Sequence, residues 1–160
     1  MKPELKKFPL FFSYRDLIAG SGFVAGVAMK GRVLLDTAGG EVWMYGVQPG
    51  GIAGGGLDRA CAFSEFRRSY LSVMYDLAAE AGTFGAFKAE VKRFFSEVNE
   101  PNADAWGAAL ATVRRSGTSL EGLAKVNADA ERCMFEVIPL TGVKHANPQL
   151  NQLDEINEAA

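Results

Sequence analysis

The chain has 160 residues, of which 48% are apolar and 22% charged, which suits one folded domain and excludes a disordered chain. A formal net charge of −2 argues against binding to nucleic acid through overall positive charge, although it is compatible with a local basic patch. No apolar run approaches the roughly 20 residues of a membrane helix. Because no signal peptide is recognisable either, we expect a cytoplasmic protein with no membrane partner, in which Cys61 and Cys133 are reduced, buried thiols.

The N-terminal part has the pattern of antiparallel strands. Residues 8–12 contain a proline and indicate an edge strand or a packing arm, and residues 14–22 read as a connection. Three segments then have strand character, namely 23–29, 32–36 and 41–47. Lys30-Gly31 and residues 37–40 are the predicted turns between them. Links this short predict a three-stranded antiparallel meander.

A glycine-rich segment follows, in which five of the seven residues from 50 to 56 are glycine. Such a segment indicates backbone turns that a Cβ would forbid, or close approach of the backbone to another group. Asp58 is placed as the N-cap of a helix behind it. One interpretation is a tight crossover from strand to helix. The other is an anion site made of backbone N–H groups and a helix N-terminus, although the following Leu57-Asp58-Arg59 lacks the Lys-Ser/Thr of a P-loop.

Helical periodicity dominates after the glycines. Apolar spacing predicts a helix over 58–81 ended by Gly82, a second helix over 84–98 capped by Thr83, and a third that stops near 114–117. A capping box, Thr118-x-x-Glu121, predicts a fourth helix to about residue 131. The last strand, 133–138, is expected to join the edge of the meander.

These elements predict one α+β domain over residues 1–140, with helices packed on one face of the meander. Residues 83–132 form its helical insertion, and residues 141–160 are expected to be a polar tail that is flexible or orders against a partner.

No catalytic constellation is apparent. His145 is the one histidine, so a Ser-His-Asp or Cys-His arrangement and a histidine metal cluster both lack partners. We therefore expect no enzyme activity, no cofactor and no metal. The adjacent arginines 67–68 and 114–115 are interpreted as solvated helix faces in preference to contacts with phosphate or with an acidic protein.

The order of meander, Pro-Gly segment and alanine-containing helix start over residues 47–60 resembles the HicB-like antitoxin family, and the resemblance spans about residues 23–66. It implies a non-enzymatic, partly open sheet, a small basic toxin-type protein partner, and oligomerisation, for which a homodimer is the expectation. Family members usually end in a ribbon-helix-helix or helix-turn-helix module that binds DNA. Here the late strand follows the helices, which is the wrong order for ribbon-helix-helix, and no helix-turn-helix is visible, so DNA binding stays open.

The predicted contact surface is the exposed sheet face with the glycine segment. Its candidate residues are Trp43, Tyr45, Gln48, Gly50, Gly51, Gly54, Gly55, Gly56 and Arg59. The alternative is a domain, or a small enzyme, that binds a small molecule or anion at residues 50–56 with Arg59 or Arg67. A third alternative is a fold that serves self-assembly alone.

Overall fold

A computed structural model describes residues 6–129, 133–140 and 154–159 of the chain, which form an α+β fold. The strands are β1 (Lys7–Gly20), β2 (Phe23–Asp36), β3 (Val42–Gln48), β4 (Ala53–Gly56), β5 (Lys125–Val126), β6 (Met134–Pro139) and β7 (Glu155–Ala159). The helices are α1 (Arg59–Ala81), α2 (Phe84–Ser96) and α3 (Glu100–Ser116).

One seven-stranded sheet contains all the described strands, in the order β4-β3-β2-β1-β7-β5, with β6 paired to β2. Strands β1 to β4 are antiparallel neighbours in chain order, so the meander has four strands and the predicted three-stranded meander is wrong. Strand β6 pairs with the first half of β2 and β3 with the second half, and both lie on the side of β2 away from β1. The expectation that a late strand returns to the meander is confirmed.

The long hairpin of β1 and β2 corrects two further predictions. Its register runs from Lys7 opposite Asp36 to Gly20 opposite Phe23, so residues 14–22 are mostly strand and Lys30-Gly31 is no turn. A Cβ at Gly31 would lie against the Gln48 carbonyl oxygen and 2.5 Å from the Phe12 ring. The glycine is therefore explained by close approach of neighbouring backbone and ring atoms.

Helices cover both faces of the sheet, and the prediction of helices on one face is wrong. Helices α1 and α2 pack on the larger core, where Phe12 of β1 meets Phe66 with ring centroids 5.4 Å apart. Helix α3 packs on the opposite face, where Trp106 meets Phe11 at 5.4 Å and donates a hydrogen bond from its indole N–H to the Leu10 carbonyl. Successive side chains of a strand point to opposite faces of the sheet, so neighbouring residues of β1 lie in different cores.

Local capping defines α1 and α2 as expected. The Asp58 carboxylate accepts a hydrogen bond from the Cys61 N–H at 2.7 Å, and Gly82 ends α1 in the left-handed region at φ 70°. The hydroxyl of Thr83 accepts from the Ala86 N–H and so caps α2.

The predicted fourth helix is wrong for the residues described. The segment 117–129 contains β5 and turns, with Gly122 at φ +82°. The Leu120 N–H donates to the Glu158 carboxylate, and the Glu121 carbonyl accepts from Arg59. The backbone groups of Leu120 and Glu121 therefore form hydrogen bonds with distant residues, whereas a helix started by a capping box would use them within the helix.

The last described segment also departs from expectation. Strand β7 pairs with residues 10–13 of β1, so the interpretation as a polar tail is wrong for 155–159, whereas residues 141–153 lie outside the description. The expectation of buried cysteines is wrong, because Cys61 is exposed and Cys133 only half-buried. Among the described helices, none has the length and apolar character to cross a membrane.

Candidate functional site

Two aromatic side chains form a stacked pair on β3. The rings of Trp43 and Tyr45 have centroids 5.8 Å apart and planes within 8° of parallel. The Trp43 indole N–H donates to the Glu41 carboxylate at 3.1 Å, and the Trp43 side chain remains 37% exposed. An exposed indole held in one orientation is a preorganised contact surface, since little rotamer freedom remains to be lost on binding.

Gly55 of β4 lies beside the indole. A Cβ at this position would be 2.6 Å from Trp43 ring atoms, so the glycine leaves space for the ring against the β4 backbone. We call Trp43, Tyr45 and Gly55 together the aromatic edge.

Strand β4 ends the sheet, and its outer side has no strand partner in the described parts of the chain. The Gly46 N–H donates to the Ile52 carbonyl at 2.9 Å, which sets the alternation of the antiparallel pair. By that alternation Gly54 and Gly56 direct their backbone groups toward β3, whereas Ala53 and Gly55 direct theirs outward. The aromatic edge therefore adjoins backbone donors and acceptors that can pair with an added strand.

The remaining glycines of β4, Gly54 and Gly56, lie on the face of the strand that contacts α1. A Cβ at Gly54 would lie 2.6 Å from the Glu65 carbonyl carbon and 2.7 Å from the Phe66 Cα. A Cβ at Gly56 would meet the Cys61 side chain. Helix α1 thus packs directly on the β4 backbone, and residues 53–56 are a strand where a loop was predicted.

Gln48, Gly50 and Gly51 do not belong to the aromatic edge. Gln48 pairs with Arg32 of β2, and the Gly50 N–H donates to the Glu97 carbonyl at 2.8 Å. Gly50 and Gly51 line a shallow cleft of about 200 Å³ together with Glu97, Val98 and Asn99. The Glu97 carboxylate makes this cleft unfavourable for an anion.

The N-terminus of α1 is also occupied by the chain itself. A hydrogen bond from the Cys61 N–H holds the pKa of Asp58 below its usual value, so the helix end already carries a carboxylate. A second hydrogen bond, from the Cys61 thiol itself to that carboxylate, raises the pKa of the thiol. Arg59, another candidate, donates to the Glu121 carbonyl at 2.6 Å and so binds the loop after α3. Of the candidate residues, the structure brings together Trp43, Tyr45 and Gly55 on one surface.

Sequence reasoning missed a half-buried ionic cluster around Arg67. Its guanidinium donates to both carboxylate oxygens of Asp16, at 2.6 and 2.8 Å, and to Asp154 at 2.8 Å. It also lies 4.3 Å from the centroid of the Tyr14 ring. The cluster ties α1 to β1 and to the residue before β7. Arg68, by contrast, is exposed as expected.

The protonation states in this cluster suit a structural role. Burial lowers the pKa of Arg67, but the hydrogen bonds and ion pairs with Asp16 and Asp154 outweigh it and raise the pKa overall. Burial raises the pKa of Tyr14 and of Tyr70, so both phenols stay neutral well above neutral pH. Neutral phenols and a fully paired cation offer neither a nucleophile nor a free charge. No sequence signal distinguishes Arg67 from its neighbour Arg68, because Asp16 lies 51 positions away.

No group of three His, Cys, Asp or Glu side chains lies close enough to hold a metal ion in the portion of the chain described; His145 falls outside it. No protein family model, no curated protein and no solved structure matches this chain. The geometry of the aromatic edge is therefore the basis for a functional assignment.

Proposed function

We propose that this chain is a non-enzymatic protein-binding module whose partner contacts the aromatic edge and pairs with β4. The observation that carries the proposal is the exposed Trp43–Tyr45 stack beside a sheet edge whose outer backbone groups face away from β3. Backbone pairing would supply register, and the aromatic side chains would supply specificity and most of the binding energy.

The chemistry of these side chains favours a protein over a small molecule. Trp and Tyr are the residue types enriched at interface hot spots, and truncating one typically costs 2 kcal/mol or more, as an order of magnitude. The Trp43 indole is exposed beside the edge of the sheet, whereas small ligands are typically bound in enclosed apolar cavities. The anion alternative at residues 50–56 has less support, because Glu97 and Asp58 place carboxylates at the positions an anion would take.

We further propose that the partner is a small basic protein, as in a HicB-like antitoxin. The net charge of −2 and the Glu41 carboxylate at the Trp43 indole both favour a positively charged surface opposite the aromatic edge.

Affinity capture from the native lysate tests this proposal. Tagged wild type is compared with Trp43→Ala and with Tyr75→Ala, a matched control because Tyr75 is an aromatic residue of α1 that is 53% exposed. We expect a small basic protein in near-equal amount with wild type and with Tyr75→Ala, and its loss with Trp43→Ala. Mass spectrometry and nucleic-acid staining identify what is bound.

Two results would overturn the proposal. One is equal capture by Trp43→Ala and by wild type, and the other is recovery of no protein at all. A saturable thermal stabilisation by nucleotides or phosphorylated metabolites, abolished by a bulky residue at Gly51, would instead establish the ligand-binding alternative.

A further inference from the structure

The Trp43 indole rests on the backbone of β4. A Cβ at Gly55 would be 2.6 Å from the indole Cδ2 and Cε2 atoms and 2.7 Å from Cε3, which surround the fused bond of the two rings. Gly55 therefore lies under the middle of the indole and not at its edge. The cation–π contacts in the described parts of the chain involve Trp106, Tyr14 and Tyr70. Among the residues described, no cation thus occupies the indole of Trp43, which remains 37% exposed.

Two carboxylates lie beside this indole. Glu41 accepts the hydrogen bond of the indole N–H at 3.1 Å. Asp36 of β2 lies directly opposite Trp43, and residues opposite each other on neighbouring strands point to the same face. Neither carboxylate forms an ion pair with a residue that the structure describes. The nearest cation in the register is Lys7, one strand further away, opposite Asp36. The charge next to the indole is therefore negative.

The register of an added strand determines which partner residue meets the indole. In an antiparallel pair, a partner residue opposite Gly55 would exchange both backbone hydrogen bonds with it, and its side chain would point to the same face. That face carries the indole, because a Cβ at Gly55 would point at the ring of Trp43. Neighbouring strands lie about 4.8 Å apart, so this partner residue would be about 10 Å from the Trp43 backbone. A long side chain that crosses the indole is needed to reach the Glu41 carboxylate.

We infer that the partner strand places an arginine opposite Gly55, with its guanidinium over the Trp43 indole and paired with Glu41. The inference rests on the proposed function and goes further, because it names one residue type at one position of the partner. A guanidinium is planar, stacks on aromatic faces, pairs with carboxylates through two N–H groups and is more weakly hydrated than an ammonium, so arginine fits better than lysine. An acidic side chain at this position would face the carboxylates of Glu41 and Asp36.

Binding of short strand peptides to the full chain tests the inference. The probe is a peptide of alternating threonine and valine with one central arginine, acetylated and amidated at its ends. The comparison peptide carries citrulline at that position, which keeps the length and the planar group of arginine but has no charge. Amide NMR signals of Ala53 and Gly55 report pairing with β4, and the indole N–H signal of Trp43 reports the side-chain contact. At low ionic strength we expect shifts in all three signals and roughly tenfold tighter binding of the arginine peptide.

Three variants assign this preference to particular groups. Glu41→Gln keeps an acceptor for the indole N–H but removes the charge, so it should reduce the preference for arginine roughly threefold. Glu80→Gln is the matched control, because it makes the same change at an exposed position of α1, on the opposite face of the sheet, and it should leave the preference unchanged. Trp43→Leu removes the aromatic ring and should abolish the preference. Circular dichroism verifies that each variant is folded.

The results that would overturn the inference differ from those that would overturn the proposed function. Equal binding of the arginine and citrulline peptides, with shifts at Gly55, would refute the arginine assignment while strand pairing stands. A peptide with lysine at the central position that binds as tightly as the arginine peptide would also refute it. No shift at Ala53 and Gly55 at the highest peptide concentration would refute the inference as well. The proposed function fails separately, if Trp43→Ala captures the partner as well as wild type does.

Discussion

Replacing Gly54 by alanine tests whether the glycines of β4 exist for helix packing. The new Cβ would lie 2.6 Å from the Glu65 carbonyl carbon and 2.7 Å from the Phe66 Cα, both backbone atoms of α1. Because backbone atoms cannot rotate away, α1 would have to retreat from β4 by about 1 Å to restore ordinary carbon–carbon contact. Overpacking of this kind typically costs 1–3 kcal/mol, and we expect about 3 kcal/mol because α1 carries buried residues along most of its length.

Gly107→Ala is the matched control for this substitution. Gly107 lies inside α3, where an added Cβ would meet no atom within 4 Å, so alanine should stabilise the helix by about 1 kcal/mol. Urea unfolding followed by far-UV circular dichroism gives both free energies of unfolding. Unchanged stability of Gly54→Ala would refute the packing explanation and would favour a ligand-binding role for the glycines.

Three further outcomes concern the cluster around Arg67. Tyr70→Phe should raise the free energy of unfolding by about 1 kcal/mol, because the buried Tyr70 hydroxyl has no hydrogen-bond partner among the residues that the structure describes; a lower thermal midpoint would contradict this. Arg67→Met should lower it by roughly 2 kcal/mol in chemical denaturation, since Asp16 would stay half-buried without its cation, and an unchanged value would assign the ion pair no net role. The folded-state pKa of Tyr14 is raised above the unfolded-state value near 10, so above about pH 10 the phenol ionises in the unfolded state but stays neutral in the folded state. The free energy of unfolding should therefore fall as the pH rises above that value, and urea titrations between about pH 9 and 11 should show the loss. Tyr14→Phe should make this fall with pH less steep.

Local signals in the sequence were sufficient for α1, α2 and α3. Asp58, Gly82 and Thr83 cap or end helices through backbone groups within a few residues of themselves, so these helix ends can be predicted without knowledge of the rest of the fold. The alternating pattern likewise identified β3 and β6. The aromatic pair of the candidate site followed from this alternation, since Trp43 and Tyr45 are two positions apart on one side of a strand.

The features that the sequence did not predict depend on contacts between residues far apart in the chain. Gly31 carries the signature of a turn, but it is a strand residue because Phe12 and Gln48 approach it from distant positions. Thr118 and Glu121 have the spacing of a capping box, but the Leu120 N–H donates to Glu158 and the Glu121 carbonyl accepts from Arg59. Such residues are ambiguous locally, and tertiary contacts decide between the alternatives.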